Sequence, residues 1–274
     1  MPDLPRSYLF VPGDRPERFE KAVASGADCT VLDLEDAVLP EAKEKARSLV
    51  REWLQLGGRA AVRINSIGTK WHSDDLELAT LPGVMAIMLP KAEAHDQIAA
   101  MASALPAGVP LIPIIESAAG LLDARAVAAL PGVQRLAFGS VDYGNDVGIS
   151  AEDDQALLFA RSTIVVASAA AGIGEPVDGV TLALADERRL RADVELARRL
   201  GMGGKLCIHP QQVATVNAGF APTSEEVAAA RRIVAAAQAS GAHGAIQLDN
   251  KMIDRPIVER SIRILARVDR SEAN

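Results

Sequence analysis

The sequence predicts an α/β protein built as a (β/α)8 barrel, the TIM-barrel architecture, with a C-terminal helical lid extension. Two observations favour this fold. Short apolar runs alternate with longer amphipathic stretches, and eight such units follow one another between positions 7 and 210, as this barrel requires. The runs are apolar almost throughout, which is typical of parallel strands covered on both faces. An open doubly wound sheet is the alternative, but no GxGxxG motif follows the first run.

Eight β-rich runs define the predicted strands, and Gly or Pro marks most of the junctions. The seventh run is the weakest of the eight. In chain order, the runs are SYLFVPG (7–13), CTVLDLED (29–36), AAVRIN (60–65), VMAIMLPK (84–91), VPLIPIIES (109–117), VQRLAFGSVD (133–142), EPVDGV (175–180) and GKLCIHP (204–210).

Helical patterns fill the connections between these runs. A charged helix is predicted from Pro40 to about Gln55, an apolar helix over about 152–172, and a helix rich in Arg and Glu over about 186–200. Further helices are predicted over about 223–240 and from about Arg255 onward. The stretch GAIQLDNKMID between them is predicted to be an irregular, exposed loop.

These elements suggest one catalytic domain with an appendage. Residues 1–215 are predicted to form the barrel. Residues 216–274 are predicted to form a helical appendage or lid of the same domain, because this segment is too short to build a second core.

Composition and charge exclude some classes of partner. Lys and Arg number 29 against 36 Asp and Glu, a net charge of −7, so general binding to nucleic acid or to an anionic membrane is not expected. Cys29 and Cys207 lie far apart in apolar runs and are predicted to be buried, reduced thiols. No stretch approaches the ~18 apolar residues of a membrane-spanning helix, and a cytoplasmic location is expected.

Two carboxylates near the ends of successive predicted strands indicate a metal site. Glu116 closes the fifth apolar run and Asp142 lies just past the sixth. Because neighbouring strands are about 4.8 Å apart, the two side chains can converge on one cation. Two carboxylates completed by water and substrate oxygens are typical of Mg²⁺, whereas zinc would need a His or Cys cluster. The alternative is structural, with Glu116 capping a helix and Asp142 starting a turn.

Arg63 is predicted to be buried beside an anion. It lies inside the third run and points away from its apolar neighbours, and a buried guanidinium requires a carboxylate partner. The candidates within the chain are Asp33, Glu35 and Asp36. A carboxylate of the substrate is equally compatible with the pattern.

Three further polar residues lie at the ends of predicted strands. Asp178 lies in the seventh run, at the predicted strand end, and is expected to be either ion-paired or part of a site. His209 is predicted to be a hydrogen-bonded structural histidine. Lys91 could form a Schiff base, but such a lysine must be desolvated away from acids, and this set of strand ends is rich in them.

Eight motifs occur in order along essentially the whole chain: RSYLFVPGDRPERFEKA, VLDLEDAV, VRIN, LPKAE, IPIIESAAGL, FGSVDYGNDVG, GKLCIHPQQV and KMIDRP. Their combination resembles the CitE-like proteins. These are relatives of the citrate lyase β subunit within the HpcH/HpaI aldolase superfamily, which includes malyl-CoA and citramalyl-CoA lyases.

The resemblance implies a Mg²⁺-dependent carbon–carbon lyase. Such an enzyme cleaves or forms a 3-hydroxyacyl-CoA, for example citramalyl-, malyl- or citryl-CoA, and the products of cleavage are an acyl-CoA and a 2-oxo acid. The CoA thioester is therefore a substrate and not a prosthetic group. The resemblance also implies a homo-oligomer, with a trimer favoured, in which the lid covers a neighbouring subunit.

The same resemblance assigns roles to residues of the barrel. Glu116 of IIESAAG and Asp142 of GSVD match the metal ligands. Arg63 of VRIN matches the arginine that binds the 2-oxo acid and acts in catalysis. Glu35 and Asp36 of LEDAV lie beside the metal site and are the further catalytic candidates.

The resemblance also assigns roles to residues of the lid, of the front motif and of the GSVD motif. Asp254 of KMID matches a catalytic Asp on the lid, which is the acid in cleavage and the base in condensation. Arg15 and Arg18 belong to the front motif, which resembles the part that meets CoA. Gly139 and Ser140, also in the GSVD motif, are expected to bind substrate.

Other functions remain open at this point. One is a citrate lyase β subunit that acts on a carrier-protein thioester in a complex. Another is a metal-dependent aldolase for free 2-oxo-4-hydroxy acids, although that branch commonly uses an early His and the first His here is His72. A third is a subunit that only binds substrate or a partner. One departure from the family is Asn250, where relatives usually have Gly; Asn also tolerates left-handed backbone geometry.

Overall fold

The computed structural model describes residues 4–93, 95–240 and 245–271. The described chain forms two compact units, Leu4–Phe220 and the segment from Ala221 onward. The predicted boundary between 215 and 216 falls inside a helix, Val213–Phe220, that packs against the first and eighth barrel strands, so the structure places the division after Phe220. Within the described ranges, no helix has the length and apolarity to cross a membrane.

Eight parallel strands form a closed barrel in the first unit. They are β1 (Ser7–Pro12), β2 (Cys29–Asp33), β3 (Ala60–Arg63), β4 (Val84–Leu89), β5 (Leu111–Ile115), β6 (Ala137–Phe138), β7 (Val177–Asp178) and β8 (Gly204–Cys207). The strands are arranged in chain order, and β1 pairs with β8 as well as with β2. The predicted (β/α)8 fold is therefore confirmed.

Helices follow the strands. The helices of this unit are α1 (Phe19–Val23), α2 (Lys43–Gln55), α3 (His72–Leu76), α4 (His95–Ala104), α5 (Ala118–Ala128), α6 (Ser140–Val147), α7 (Asp154–Ala171), α8 (Glu187–Leu200) and α9 (Val213–Phe220). Capping residues set several of the ends. The Asp153 carboxylate accepts hydrogen bonds from the first backbone N–H groups of α7, and Gly172 ends α7 with φ 69°, as capping chemistry favours.

The core of this unit has two layers. A smaller cluster takes at least one buried residue from every strand, including Tyr8, Val31, Met88 and Ile114, and therefore fills the barrel interior. A larger cluster, which includes Leu32, lies between the strands and the helices. Side chains alternate between these two layers along each strand because successive residues of a strand point to opposite faces.

The sixth predicted strand is much shorter than its apolar run. Only Ala137–Phe138 is β-structure, and the chain enters α6 at Ser140. Asp142 therefore lies in the first turn of a helix and not directly at a strand end. The preceding Arg135 is fully buried, and its Nη1 donates to the carbonyl oxygen of Pro5 at 2.7 Å.

The described residues of the second unit form two helices and a β-hairpin. These elements are α10 (Ser224–Ser240), β9 (Ile246–Leu248), β10 (Lys251–Ile253) and α11 (Arg255–Ser271). The prediction of an irregular loop for GAIQLDNKMID is therefore wrong for its described residues, from Ala245 onward. Asp249 and Asn250 form the hairpin turn with φ values of 49° and 60°, the positive pair that tight hairpin turns require. The prediction that Asn250 tolerates left-handed geometry is confirmed.

Candidate active site

Polar residues gather at the carboxyl ends of neighbouring barrel strands. β2 ends at Asp33 and β3 ends at Arg63, and these two residues lie opposite each other in the strand pairing. Lys91 follows β4 by two residues, and Glu116 follows β5 directly. Enzymes with this barrel build their active sites at this end.

Arg63 is held by two buried carboxylates. Its Nε and Nη2 donate to the two carboxylate oxygens of Asp33 at 2.7 and 2.6 Å, and its Nη1 lies 3.1 Å from Glu35 Oε2. Burial by itself would lower the pKa of Arg63, but Asp33 and Glu35 hold it above its ordinary value. Two of the three partners predicted for Arg63 are thus confirmed, and the third candidate, Asp36, is exposed.

Two buried side chains, those of Asp33 and Lys43, hold the segment that carries Glu35. The carboxylate of Asp33 accepts hydrogen bonds from the backbone N–H groups of Glu35 and Ala37 at 2.9 and 3.2 Å. Nζ of Lys43, which is buried, donates to the carbonyl oxygens of Leu34 and Glu35 at 2.9 and 2.7 Å. Sequence reasoning missed Lys43, because a helical lysine gives no sign that its ammonium group reaches a preceding loop.

The carboxyl group of Glu35 is buried among charges of both signs. Arg63 and Lys91 lie beside it, with Lys91 Nζ 3.3 Å from Glu35 Oε1. Burial raises the pKa of Glu35, and the charge of Asp36 adds to this rise, while Arg63 and Lys91 oppose it. Glu35 therefore holds a proton more readily than an ordinary glutamate, which suits an acid–base group.

Glu116 faces other carboxylates in a buried position. It is 4% exposed, and its Oε1 accepts a hydrogen bond of 2.7 Å from the backbone N–H of Lys91. Burial, Glu35 and Asp142 raise the pKa of Glu116 to about 8, although the Lys91 N–H and Arg63 act against the rise. Clustered carboxylates of this kind repel one another, and a cation between them stabilises their charged forms.

Gly139 provides the space in which Glu116 lies. A Cβ atom built on Gly139 would overlap the Glu116 side chain, so this position has no room for any other residue. Ser140 is 2% exposed and abuts Gly179, since a Cβ there would meet the Ser140 hydroxyl. Gly139 therefore lies beside the Glu116 side chain, and Ser140 is the first residue of α6.

The donor set fits Mg²⁺ better than a transition metal. Among the described residues, no group of three or more His, Cys, Asp or Glu side chains is placed to hold a metal. Glu116 and Asp142 offer two carboxylates, and their mutual repulsion is part of the cause of the raised pKa of Glu116. Mg²⁺ binds through one or two carboxylates and keeps several waters, whereas structural zinc takes four protein ligands.

Arg15 and Arg18 remain close to solvent after β1. Arg15 Nε lies 3.7 Å from Asp14 Oδ1, and its side chain is 56% exposed. Arg18 is similarly exposed and lies 3.9 Å from Glu17. Such exposed pairs are weak, so both guanidinium groups are available to an anionic ligand.

Asp254 lies in the second unit, at the N-terminus of α11. Its Oδ1 accepts a hydrogen bond of 3.3 Å from the backbone N–H of Ile257. The preceding Ile253 is buried and Met252 is exposed. The local role of Asp254 is therefore that of a helix cap.

Asp178, His209 and the two cysteines, which the sequence also singled out, have structural roles. The Asp178 carboxylate accepts hydrogen bonds from Arg161 Nε at 2.9 Å and from Lys205 Nζ at 3.1 Å, in a buried cluster. These two cations hold the pKa of Asp178 below its ordinary value, against the effect of burial. His209 accepts a hydrogen bond from the backbone N–H of Gln211, as expected of a structural histidine. Cys29 and Cys207 are free and buried, as predicted.

Comparison with known proteins gives family matches along most of the chain. Residues 6–210 match the model of the HpcH/HpaI aldolase/citrate lyase family. Residues 159–268 match a second model, described as a C–C bond lyase of the TIM-barrel fold.

Similar proteins include two that carry different names. A citrate lyase subunit beta-like protein of Deinococcus radiodurans is 36% identical, over 97% of this chain and 98% of the relative. A (3S)-malyl-CoA thioesterase of Cereibacter sphaeroides is 33% identical, over 96% of this chain and 94% of the relative.

Two solved structures from Mycobacterium tuberculosis are also similar to this chain. CitE in complex with magnesium, acetoacetate and coenzyme A superposes with a TM-score of 0.82 at 33% identity, over 96% of this chain and 98% of that one. The citrate lyase beta subunit with oxaloacetate and magnesium gives a TM-score of 0.70 at 34% identity, over 79% of this chain and 97% of that one.

Proposed function

The chain belongs to the HpcH/HpaI aldolase/citrate lyase family, and from this premise we propose that it is a Mg²⁺-dependent lyase for a 3-hydroxyacyl-CoA. Both matching family models describe lyases, so the protein is an enzyme of the carbon–carbon lyase class. The substrates we propose are citramalyl-, malyl- or citryl-CoA. The observation that carries the proposal is the buried Glu116, which faces Glu35 and Asp142 beside an arginine.

The metal in this proposal is held by Glu116 and Asp142. Similar structures of the M. tuberculosis protein contain magnesium together with small oxo acids, which supports the same metal here. When bound, Mg²⁺ would supply positive charge for the substrate oxygen that becomes the keto group. Gly139 leaves the space for Glu116, so the position of this ligand depends on a residue without a side chain.

Arg63 and Glu35 act on the hydroxy acid half of the substrate. Asp33 and Glu35 occupy three of the five N–H groups of Arg63, and two N–H groups are left for a substrate carboxylate. Glu35 accepts the proton of the substrate hydroxyl, and the adjacent Asp36 favours this because its charge raises the pKa of Glu35. The carbon–carbon bond then breaks, its electron pair moves into the thioester as an enolate, and the hydroxyl carbon becomes the 2-oxo carbon.

Asp254 completes the reaction in this proposal. In its protonated form it gives a proton to the α-carbon of the enolate, which yields the acyl-CoA. In the condensation direction the same carboxylate removes that proton. The hairpin that precedes Asp254 has only short strands, as suits a lid segment that must admit a large thioester.

The proposal also covers the residues that bind CoA, the oligomeric state and the cellular location. We assign Arg15 and Arg18 to the CoA phosphates because both are exposed cations next to a barrel strand. Gly139 and Ser140 line the acid-binding side. A homotrimer and a cytoplasmic location complete the proposal.

Loss of the metal ligands tests this proposal. Glu116→Ala and Asp142→Ala are each expected to abolish Mg²⁺-dependent release of the 2-oxo acid and to weaken Mg²⁺ binding in calorimetry. The matched control is Asp123→Ala on α5, because Asp123 is exposed and lies outside the carboxylate group. Full turnover in both ligand variants would refute the proposal.

A second candidate is hydrolysis of the thioester. It is favoured by the 33% identity to a (3S)-malyl-CoA thioesterase over 96% of this chain. The two reactions differ in products, because a lyase releases a 2-oxo acid and an acyl-CoA while a thioesterase releases a hydroxy acid and free CoA thiol. A thiol reagent added to the assay detects CoA only in the second case.

A further inference from the structure

We propose that Lys91 is a positioning residue of this site, which fixes Glu116 with its backbone N–H and Glu35 with its ammonium group. It thereby keeps two mutually repelling carboxylates in place. The inference rests on the proposed function, in which both carboxylates act.

The backbone of Lys91 adopts a conformation that is rare for a lysine. Its φ is 50°, and the other non-glycine residues with positive φ in the described part of the chain are Asp249 and Asn250, both in the hairpin turn. A lysine seldom adopts this region, because Cβ crowds the carbonyl that follows. In this conformation the Lys91 N–H donates to Glu116 Oε1 at 2.7 Å. Unfavourable backbone geometry of this kind is concentrated at functional sites.

The side chain of Lys91 reaches the other carboxylate. Its Nζ lies 3.3 Å from Glu35 Oε1, while Arg63 Nη1 lies 3.1 Å from Glu35 Oε2. Glu35 therefore has one cation at each oxygen. The carboxyl groups of Glu35 and Glu116 interact electrostatically, so the two groups that Lys91 contacts repel each other when both are ionised.

Packing does not explain the position of Lys91. The side chain is 49% exposed and borders an open cleft of about 240 Å³ together with Ser66, Ile67 and Gln97. A side chain with this exposure contributes little to the core. Substitution of Lys91 therefore tests its charge and backbone geometry.

The experiment compares Lys91→Met, Lys91→Arg and the control Lys45→Met, which removes an exposed lysine from α2. Each variant is measured for Tm with and without Mg²⁺, for Mg²⁺ affinity, and for kcat and KM. Lys91→Met is expected to lower the Tm of the metal-free protein and to enlarge the increase in Tm on adding Mg²⁺. The reason is that the carboxylates lose a counter-charge, which Mg²⁺ then supplies, so Mg²⁺ binds at least as tightly as in the wild type.

Turnover should respond differently from metal binding. In Lys91→Met, kcat is expected to fall by about tenfold or more, as is usual when a residue that orients the groups around a metal is lost, with KM little changed. Lys91→Arg restores most of kcat, and Lys45→Met behaves as the wild type. An equal loss of Tm with and without Mg²⁺, or a Lys91→Met protein identical to Lys45→Met, would overturn the inference.

The backbone contribution is tested by a second pair of variants. Lys91→Gly and Lys91→Ala both lack the ammonium group and both keep the N–H. Glycine adopts positive φ at no steric cost, so Lys91→Gly is expected to have the higher Tm; an equal or lower Tm contradicts the left-handed geometry.

Stability and metal binding separate this inference from the proposed function. Wild-type protein that binds Mg²⁺ and shows the Lys91→Met stability pattern, but cleaves no thioester, supports the role of Lys91 and refutes the proposed reaction. Full cleavage by both the wild type and Lys91→Met supports the proposed reaction and refutes the role of Lys91.

Discussion

Replacement of Asp33 by Asn tests whether the buried pair with Arg63 sets the geometry of the site. Asp33 is 1% exposed, and its carboxylate accepts two hydrogen bonds from Arg63 and one each from the N–H groups of Glu35 and Ala37. An Asn side chain keeps one oxygen but turns an NH₂ group towards two of these donors. Two of the four hydrogen bonds are therefore lost.

The expected loss of stability follows from this count. At about 1–2 kcal/mol for each lost bond, the sum is about 2–4 kcal/mol, near the lower end of the ~3–5 kcal/mol seen when one partner of a buried ion pair is removed. Glu35 remains 3.1 Å from Arg63 Nη1 and limits the loss. Arg63 is also expected to turn, so the KM for the 2-oxo acid should rise.

Urea unfolding at pH 7 measures this loss directly. The matched control is Glu77→Gln, which removes the charge from an exposed pair in which Glu77 lies 3.3 Å from Arg51. That variant is expected to lose less than about 1 kcal/mol. If Asp33→Asn loses no more stability than the control, the buried pair of Asp33 with Arg63 does not hold this part of the structure together.

Three further predictions concern other parts of the site. The pKa of Glu116 is raised from its ordinary 4.5 to about 8, so the folded metal-free protein binds a proton that the unfolded chain releases, and stability falls as pH rises between these values. Glu116→Gln should remove this part of the slope in urea unfolding, and an unchanged slope would count against it. Gly139→Ala displaces the Glu116 carboxylate and should weaken Mg²⁺ binding by about tenfold or more in calorimetry; wild-type affinity would contradict this. Asn250→Ala should destabilise the hairpin relative to Asn250→Gly by about 1 kcal/mol, measured by amide hydrogen exchange, and equal protection in the two variants would be the contrary result.

The strand order and most strand positions could be predicted because barrel strands are buried on both faces. Such burial leaves apolar runs that are visible in one sequence, as for Cys29–Asp33 and Val84–Leu89. The sixth run was longer than its strand because Leu136 is buried in the layer between strands and helices, although it lies outside β6. An apolar run therefore predicts burial more securely than it predicts the length of a strand.

Residues of the site could be predicted where a buried charge requires a partner of opposite charge. A buried Arg63 requires an anion, and the pairing of β2 with β3 selects Asp33 as the residue opposite it. The role of Lys91 could not be predicted, because it depends on a positive φ that the residue type disfavours. The hairpin before Asp254 escaped detection because strands of three residues carry too little alternation to be recognised.

The most direct test of the proposed lyase activity is release of a 2-oxo acid by the purified protein. Citramalyl-, malyl- and citryl-CoA are supplied in parallel with Mg²⁺, and each reaction is repeated with EDTA. We expect release from one of these esters, no free CoA thiol, and loss of the reaction with EDTA. Release that persists in EDTA, or silence with all three esters in protein that is folded and binds Mg²⁺, would contradict this expectation.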